Sequence, residues 1–397
     1  MSENLDVWNP TVEVESNYHN HTGSALISES SHNTSGVFAV DLFCGAGGFS
    51  VGFEKAGFKS LLGVDIHSPS IDTYKTNHKN SATILGDMRE IPEGLIKELV
   101  GQRNVGLISA GVPCQGFSLC NRKRWEDDKR NFLFKEFARV VKAISPPYVL
   151  VENVSGLVST KGGEFVKAIC EIISDMGYDV DWRMLNAADF GVPQIRNRVF
   201  FLGAKKGYPI YWPIPTHGKK TPYRTVKNAI GDLPILGNGE EKSEYLLDPE
   251  CDFQKEMRKN SKGLINHEAP NHPEETVKRI AETLPGKPMY PKFKQRIRLQ
   301  WEKPSPTQVS GGIRPQFSFG HPSQPRGLSI RERCRIQSFP DTYEIKGGIV
   351  QGRVQTGNAV APLVAQAIGQ VILAGINGTK PKIDYSECET FWPEVFG

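Results

Sequence analysis

The sequence predicts an α/β fold built on a doubly wound, mostly parallel sheet of the Rossmann-like type. Between residues 37 and 178, short apolar runs alternate with stretches of helical periodicity, which is the order that βαβ units produce. The runs show no polar alternation, and this is typical of strands buried on both faces of a parallel sheet. Near residue 205 the alternation stops, so we expect a smaller, irregular second domain.

The strands and helices follow one another in a regular order. The apolar runs predict strands at residues 37–43, 60–65, 82–87, 105–111 and 148–154. Helical periodicity predicts helices at residues 49–58, 68–78, 131–144 and 164–178, and regular structure returns at 328–339 and in a long apolar helix within 358–376. The pattern is clearest in helix 131–144, where apolar residues recur at helical spacing from Phe134 to Ile144.

Composition argues against several classes of protein. The formal net charge of +4 permits a polyanionic partner without establishing one. The seven cysteines are scattered and form no Cys-x-x-Cys pair, which argues against a disulfide framework, a zinc ribbon and any metal site. No apolar run suggests a membrane span and no signal peptide begins the chain, so a cytoplasmic protein is expected.

A glycine-rich turn, DLFCGAGGFS, follows the first predicted strand. Gly45, Gly47 and Gly48 allow the backbone to turn sharply and to approach a ligand closely. The pyrophosphate fingerprint Gly-x-Gly-x-x-Gly is absent, and so is the lysine of a phosphate-binding loop. Taken alone the turn is a modest signal, because some such turns bind nothing.

Two carboxylates narrow the ligand. Asp65 ends the second strand, close to the spacing at which a carboxylate binds ribose hydroxyls, and Asp87 ends the third, where it can accept a hydrogen bond from an adenine amino group. The ligand therefore contains adenosine and needs no pyrophosphate cradle, which fits S-adenosylmethionine. The structural alternative for Asp65 is a helix N-cap.

Two further residues with reactive side chains lie at or just after the ends of later strands. Cys114 lies in the loop GVPCQGFS, among turn-forming residues that present it rather than bury it. Glu152 ends an otherwise apolar strand, where a carboxylate is costly unless it has a partner or a function. Loops after the strands of a doubly wound sheet share one edge, so both should meet the glycine turn there. A salt bridge to Arg196 or Arg198 is the structural alternative for Glu152.

Six segments resemble the motifs of bacterial DNA (cytosine-5)-methyltransferases, and they occur in the order typical of that family. They are DLFCGAGGFS, GVPCQGFS, ENV, QIRNRVF, RERCRIQSFPD and QTGNAVAP. The resemblance covers most of residues 38–376, and its most specific parts are PCQ and ENV. It implies a methyltransferase-type sheet and an enzyme that uses S-adenosylmethionine to methylate carbon 5 of a cytosine within a short specific sequence of duplex DNA.

The resemblance also implies roles for four catalytic residues. Cys114 would attack carbon 6 of a flipped-out cytosine, and a protonated Glu152 would donate to ring nitrogen 3. Arg198 would hold the base oxygen, and Arg196 would support the loop or Glu152. The base that removes the carbon 5 proton is not identified by any motif.

Cofactor and DNA contacts follow from the same resemblance and from the basic stretches of the chain. The expected cofactor-binding residues are Asp41, Phe43, Gly45, Gly47, Gly48, Asp65, Asp87, Pro113, Asn358 and Val360. The expected DNA-binding residues are Arg122, Lys123 and Arg124 in a lid-like stretch, Lys292, Lys294 and Arg296 in a basic-aromatic stretch, and Thr307 and Gln308. Gln308 stands where the family usually has leucine, and a solvated surface is the structural alternative for the basic stretches.

The domain plan and the partners complete the expectations. Residues 1–36 are a flexible extension, 37–204 the first part of the catalytic and cofactor-binding domain, 205–327 the target-recognition domain, 328–376 the return to the catalytic domain and 377–397 a tail. The expected partner is double-stranded DNA near the bacterial nucleoid. The protein is expected to be a monomer, and a restriction endonuclease would be a functional partner without direct binding.

Three alternatives remain open at this point. The same chemistry acts on tRNA in some relatives, although the long insertion after QIRNRVF favours a duplex DNA target. A catalytically dead DNA-binding relative would retain the fold, but Cys114, Glu152 and Arg198 are all present. A Rossmann oxidoreductase is the most distant alternative, because the phosphate fingerprint is missing.

Overall fold

A computed structural model describes residues 35–113, 132–159, 163–310 and 318–381, together with the backbone of Glu13–Glu15. Cys114, Arg122, Lys123 and Arg124 lie outside the described residues, as do most of the predicted N-terminal extension and C-terminal tail. The strand at Glu13–Glu15 corrects one expectation, because this part of the extension pairs with the edge of the sheet instead of lacking regular structure.

A single eight-stranded sheet forms the centre of the described fold. Its strands are β1 (Glu13–Glu15), β2 (Phe38–Leu42), β3 (Lys59–Asp65), β4 (Ala82–Leu85), β5 (Val105–Ala110), β6 (Tyr148–Val154), β7 (Tyr178–Asn186) and β8 (Asn197–Lys205). They lie in the order β1-β4-β3-β2-β5-β6-β8-β7. A separate parallel pair is formed by β9 (Ile297–Arg298) and β10 (Phe319–Gly320).

The sheet is mostly parallel, as the sequence predicts. Strands β2 to β6 pair in parallel, whereas β8 is antiparallel to both β6 and β7, and β1 is antiparallel to β4. The predicted fold class is confirmed. The pair β7 and β8 was not predicted, because seven of the nine residues of β7 are partly or fully exposed and its sequence YDVDWRMLN has no apolar run.

Helices cover both faces of the sheet. The longer ones are α1 (Gly48–Ala56), α2 (Ser68–Asn77), α3 (Glu93–Val100), α4 (Phe132–Ile144), α6 (Glu164–Asp175), α9 (Glu274–Glu282), α11 (Gly348–Asn358) and α12 (Pro362–Ile376). Shorter helices are α5 (Gly156–Ser159), α7 (Val226–Ile230), α8 (Asp252–Arg258) and α10 (Ile330–Ile336). The sequence-based helix predictions omit α3.

Two apolar layers form the core of the sheet domain. One packs α3, α4 and α6 against one face, with Phe134 and Phe137 at its centre. The other packs α1 and α12 against the opposite face, so the last helix of the chain returns to the first βα unit. Close approach of these two helices depends on Gly52, since a side-chain carbon there would lie 2.4 Å from Cβ of Ala365.

The stretch Gly348–Ile376 is apolar and long enough to cross a membrane by length and composition, and it is mostly buried within the protein. It consists of α11 and α12, with Ala359, Val360 and Ala361 between them. Burial of α12 against α1 explains its apolar composition.

The described residues from about 206 to 328 contain helices of nine residues or fewer and two-residue strands around a small core of their own, formed in part by Val226, Phe253 and Met257. Buried arginines of the RERCRIQSFPD segment connect this core to the sheet domain. Arg335 donates to Asp341 at 2.5 and 2.7 Å and to Asp232 at 3.1 Å, and all three side chains are fully buried.

Candidate active site

The strand register brings the candidate residues to one edge of the sheet. Leu42 is level with Val64 and with Ala110, and Ala110 is level with Val151. The residues that follow these positions therefore leave the sheet side by side. They are Phe43 in the glycine turn, Asp65, Gly111 in the loop that leads to Cys114, and Glu152.

The glycine turn is strained in a way that leaves room beside it. Phe43, Gly45 and Gly47 have φ values of 56°, 51° and 75°, and only glycine adopts this region without cost. Among the described residues, no atom lies within 4 Å of the position that a side chain on Gly45 would take. At Gly48 the reverse holds, because a side-chain carbon would lie 2.1 Å from the carbonyl oxygen of Val360.

Asp65 holds the turn in place. Its Oδ2 accepts from the amide of Gly45 and its Oδ1 accepts from the amide of His67, both at 2.8 Å. The predicted alternative role as helix N-cap is not what the structure shows, since His67 is the N-cap of α2 and no side chain caps that helix. Burial raises the pKa of Asp65 above its ordinary value, and the two amides oppose that rise. A carboxylate has further lone pairs with which to accept ligand hydroxyls.

Asp41 lies beneath the turn, where it is buried with an exposed fraction of 1%. Its two oxygens accept from Ser50 at 3.0 Å and Ser109 at 2.9 Å. Burial raises its pKa to about 7 despite these two hydrogen bonds. Asp41 therefore supports the turn from inside the protein, rather than presenting its carboxylate at the edge as the sequence analysis expects.

Asp87 already has a strong partner. Nε of Arg89 donates to both of its carboxylate oxygens, at 3.0 and 2.9 Å, and the amide of Arg89 donates to Oδ1 at 3.0 Å. These bonds lower the pKa of Asp87. An adenine amino group would have to share the carboxylate with Arg89 or displace it.

Three further predicted cofactor-binding residues differ in their exposure. Pro113 and Asn358 are exposed, whereas Val360 is buried and turns its carbonyl oxygen towards Gly48. Ile66, directly after Asp65, has an exposed fraction of 48% and was not among the predicted residues. In the sequence, the signal for Ile66 was an apolar residue directly after the carboxylate that ends β3, because apolar and polar groups together line ligand sites.

Glu152 and Arg198 form an ion pair at the other end of this edge. Nε of Arg198 lies 3.0 Å from Oε1 of Glu152, and both side chains retain a little exposure. Burial raises the pKa of Glu152 even though Arg198 and Arg196 oppose that rise. A carboxyl group with a raised pKa can hold a proton at the point where a substrate needs one. The salt bridge predicted as the structural alternative is thus present, and it leaves the catalytic role open.

The loop to Cys114 is tied to the same strand. Nδ2 of Asn153 donates to the carbonyl oxygen of Val112 at 3.2 Å, two residues before Cys114. A side-chain carbon on Gly111 would lie 4.0 Å from Oε2 of Glu152, so the loop passes directly beside the acid. Asn153 was quoted within the ENV motif but not identified as a site residue. A buried amide at the end of an apolar strand was the available signal.

Arg196 differs from Arg198 in that it is buried, with an exposed fraction of 2%. Its guanidinium donates to the carbonyl oxygens of Gln308 at 2.9 Å, Gly357 at 2.9 Å and Ala359 at 3.0 Å. Burial lowers its pKa to about 9, so it still carries its charge at neutral pH. These contacts favour the predicted supporting role over any contact with substrate.

The predicted DNA-binding residues have different environments. Thr307 is partly exposed and donates to the carbonyl oxygen of Ile195 at 2.8 Å. Gln308 corrects an expectation, because its side chain is fully buried and its Nε2 donates to the carbonyl oxygen of Arg333 at 3.3 Å. Its buried side chain is not available to a nucleic acid here.

Lys292 and Lys294 are exposed, and Arg296 is partly exposed. The guanidinium of Arg296 stacks on Phe293, 4.3 Å from the ring centroid, and also lies over Tyr290 at 5.8 Å. This stretch therefore presents cations and aromatic rings together, an arrangement that suits contact with phosphates. Within the described ranges, no group of three or more His, Cys, Asp or Glu side chains could hold a metal ion.

Comparison with known proteins identifies the family. The model of the C-5 cytosine-specific DNA methylase family matches residues 38–374. The chain is 38% identical to the type II methyltransferase M1.HphI of Haemophilus parahaemolyticus over 346 residues, covering 84% of this chain and 86% of the relative. It is 37% identical to the type II methyltransferase M.DdeI of Desulfomicrobium norvegicum, covering 84% of this chain and 88% of the relative.

A solved structure agrees with these sequence matches. The fold superposes with a TM-score of 0.72 on a putative DNA modification methyltransferase encoded within an E. coli prophage, at 27% identity, covering 86% of this chain and 99% of that one. The Dnmt2 methyltransferase of S. pombe shares the fold at a TM-score of 0.57 and 16% identity, covering 86% of this chain and 99% of that one. The chain belongs to the C-5 cytosine-specific DNA methylase family and is a DNA (cytosine-5)-methyltransferase.

Proposed function

We propose that this enzyme methylates one cytosine within a short specific sequence of double-stranded DNA, through a covalent Cys114 adduct on a flipped-out base. The observation that carries the proposal is the placement of Glu152 and Arg198 beside Gly111, at the sheet edge shared with the glycine turn. A pyrimidine ring in this loop cluster would meet an acid of raised pKa and a cation together.

The residues at the turn fit S-adenosylmethionine. The open space beside Gly45 leaves room for a ligand, and the Asp65 carboxylate next to it can accept from ribose hydroxyls. The exposed Ile66 offers an apolar surface for an adenine ring. When bound, this cofactor supplies the methyl group that cytosine receives. No role for a metal is proposed.

Cys114, Glu152 and Arg198 are proposed to perform the other chemical steps. The Cys114 thiolate forms a bond to carbon 6 of cytosine, and the proton on Glu152 passes to ring nitrogen 3, so that the ring becomes electron-rich at carbon 5. The charge of Arg198 both orients Glu152 and can donate to the base oxygen. After methyl transfer to carbon 5, a base removes the proton from that carbon, the thiolate leaves carbon 6, and the proton on ring nitrogen 3 returns to Glu152, which releases neutral 5-methylcytosine.

The target must leave the duplex to reach these groups, because a stacked base is inaccessible. Lys292, Lys294 and Arg296 are proposed to contact phosphates, and Arg122, Lys123 and Arg124 to do so from the loop that follows Cys114. We propose that residues 205–327 form the target-recognition domain and that the enzyme works as a cytoplasmic, nucleoid-associated monomer. Pairing with a restriction endonuclease, without direct binding, fits the type II names of the relatives.

Bisulfite sequencing tests the proposed function. Genomic DNA from cells that express the wild-type protein should carry 5-methylcytosine at one position of a single short sequence, absent without the protein. Glu152→Gln should lower the rate at that sequence by about 100- to 10,000-fold, as expected for loss of a general acid. Methylation scattered over unrelated sequences would contradict the proposed specificity, and an unchanged single-turnover rate of Glu152→Gln would leave Glu152 only a structural role.

A further inference from the structure

We name residues 305–310 the strap. The strap runs beside residues 193–196 in parallel register. The amide of Ile195 donates to the carbonyl oxygen of Ser305 at 2.8 Å, and the amide of Ser305 donates to Pro193 at 3.0 Å. The amide of Gln308 donates to Oε1 of Gln194 at 2.7 Å.

The other side of the strap presses on the end of α11. A side-chain carbon on Gly357 would lie 2.2 Å from the amide nitrogen of Ser310 and 2.4 Å from the carbonyl carbon of Val309, so only glycine allows this approach. Directly after Gly357 and Asn358, the chain reaches Val360, whose carbonyl oxygen abuts Gly48 of the glycine turn. The strap and the turn are therefore separated by one short stretch of backbone.

The Arg196 side chain connects the strap to the end of α11. One terminal nitrogen of its guanidinium donates to Gln308 of the strap, and the other donates to Gly357 and Ala359 at the end of α11. A planar guanidinium fixes the relative position of the groups that it bonds, in a way that a flexible ammonium does not. All three acceptors are neutral carbonyl groups, so burial of this cation is a poor way to gain stability and is better explained by a positioning role.

Several buried polar atoms around the Arg196 guanidinium lack hydrogen-bond partners in the described part of the chain. Nε of Arg196, Nε2 of Gln194 and Oε1 of Gln308 are buried and lack a hydrogen-bond partner among the described residues. Buried polar atoms without partners are rare, because each loses the hydrogen bonds that it makes to water in the unfolded chain. These unpaired atoms cluster where the strap, residues 193–196 and the end of α11 meet.

We infer that Arg196 is a positioning residue that couples the cofactor turn to the strap, so that cofactor and DNA strengthen each other's binding. The inference rests on the proposed function, because it takes the turn to hold the cofactor and the strap to face the DNA. Val309 is the exposed member of the strap, with an exposed fraction of 51%, and Thr307 is partly exposed. Movement of the turn would reach them through Val360, Ala359 and the Arg196 guanidinium.

The coupling is measured as a ratio of two dissociation constants. Duplex DNA containing the methylated sequence is titrated onto the enzyme with and without saturating S-adenosylhomocysteine, which cannot transfer a methyl group. For the wild-type enzyme we expect the cofactor product to tighten DNA binding by about 5- to 150-fold, the ordinary range of coupling between two sites. Arg196→Lys keeps the charge but cannot span both sets of carbonyls, so its ratio should fall towards 1 while each ligand still binds alone.

Arg298→Lys is the matched control. Arg298 is also a buried arginine that donates only to carbonyl oxygens, those of His321, Ile280, Ala281 and Thr283, and none of them belongs to the strap or the turn. It should lose stability and keep the wild-type ratio. Gly357→Ala is a second test, because its methyl group would displace the strap directly, and its ratio should also fall.

The outcomes separate the inference from the function on which it depends. A wild-type enzyme that binds neither ligand would remove the proposed function itself. A wild-type enzyme that binds both ligands independently, or an Arg196→Lys variant that keeps the full ratio, would overturn the coupling role of Arg196 alone.

Discussion

At the residue scale, the acids of this edge differ in function because their surroundings differ. Asp41 has both oxygens engaged by buried serines, Asp87 is paired with Arg89, and Asp65 accepts two backbone amides beside open space. Glu152 is the buried acid of raised pKa whose partner is a cation at the same rim. The sequence predicts that acids end these strands, but only the contacts distinguish a ligand-facing carboxylate from an internal one.

Asp65→Ala is predicted to weaken the binding of S-adenosylmethionine. The substitution removes the acceptor for ribose hydroxyls and frees the amide of Gly45, and a hydrogen bond to a charged group is worth about 1.5–3 kcal/mol. Isothermal titration calorimetry should therefore show an affinity about 10- to 150-fold lower. Asp179→Ala, at an exposed position of β7, serves as the control and should leave the affinity unchanged. Equal affinities for both variants would limit Asp65 to shaping the turn.

At the element scale, the glycine turn and the two βα units around it follow from local sequence, and the antiparallel end of the sheet does not. Strands β2 to β6 are apolar runs because both of their faces are covered. The edge strand β7 alternates charged and apolar residues and β8 contains the apolar run VFFLGA, so each carries a strand signal, but neither sequence shows that the two strands pair antiparallel at the end of the sheet. Helix α3 carries Leu95, Ile96, Leu99 and Val100 at helical spacing against the core, so its sequence offered a signal that the predictions did not use.

Gly48→Ala tests the packing of the turn against the segment between α11 and α12. The added methyl group would meet the carbonyl oxygen of Val360 at 2.1 Å, and because this is backbone, α1 or the segment must move. Overpacking of this kind costs about 1–3 kcal/mol, which chemical denaturation can measure. We also expect weaker cofactor binding.

Gly94→Ala provides the comparison for that variant, since Gly94 lies in α3 with no atom within 4 Å of the added carbon. Its stability should be unchanged or slightly higher, because alanine favours a helix. A Gly48→Ala protein as stable as the wild type would show that the turn tolerates displacement.

At the scale of the whole molecule, the buried polar joint between the two parts of the chain was the least predictable feature. The RERCRIQSFPD segment resembles a family motif, yet charged residues at this density would normally be expected at the protein surface. Instead, Arg331, Glu332, Arg333 and Arg335 are all buried; the three arginines donate to carbonyl, hydroxyl and carboxylate oxygens from both parts, and Glu332 accepts from Arg326. The partners of these buried side chains lie far from them in the sequence and meet them only in the folded protein, so no local sequence pattern predicts the contacts.

Stability of the assembled protein is predicted to fall below about pH 6.5. Burial lowers the pKa of His272 to about 4 and that of His321 to about 3, whereas both would titrate near 6.5 in the unfolded chain. Both are neutral in both states at high pH. As pH falls through 6.5 only the unfolded chain binds protons, so both histidines lower the free energy of unfolding, and the more deeply buried His321 costs about 2 kcal/mol at pH 5.

Urea denaturation between pH 7.5 and 5 measures this loss. His272→Gln can still accept from the amide of Gly327, which lies 3.1 Å from Nε2 of His272, and it should show a shallower loss of stability below pH 6.5. A variant with the same pH slope as the wild-type protein would assign the acid sensitivity to other groups.

The central claim is that Cys114 bonds to the target cytosine, and intact mass spectrometry on a trapped complex tests it most directly. Duplex DNA with 5-fluorocytosine at the methylated position is incubated with enzyme and S-adenosylmethionine. Fluorine at carbon 5 cannot leave as a proton does, so the thiolate cannot be expelled and the adduct should persist. We predict a complex whose mass equals enzyme plus one methylated DNA strand, with peptide mapping to Cys114, and none with Cys114→Ser. A wild-type enzyme that methylates ordinary DNA but forms no such complex, or a Cys114→Ser protein that still methylates, would contradict the account.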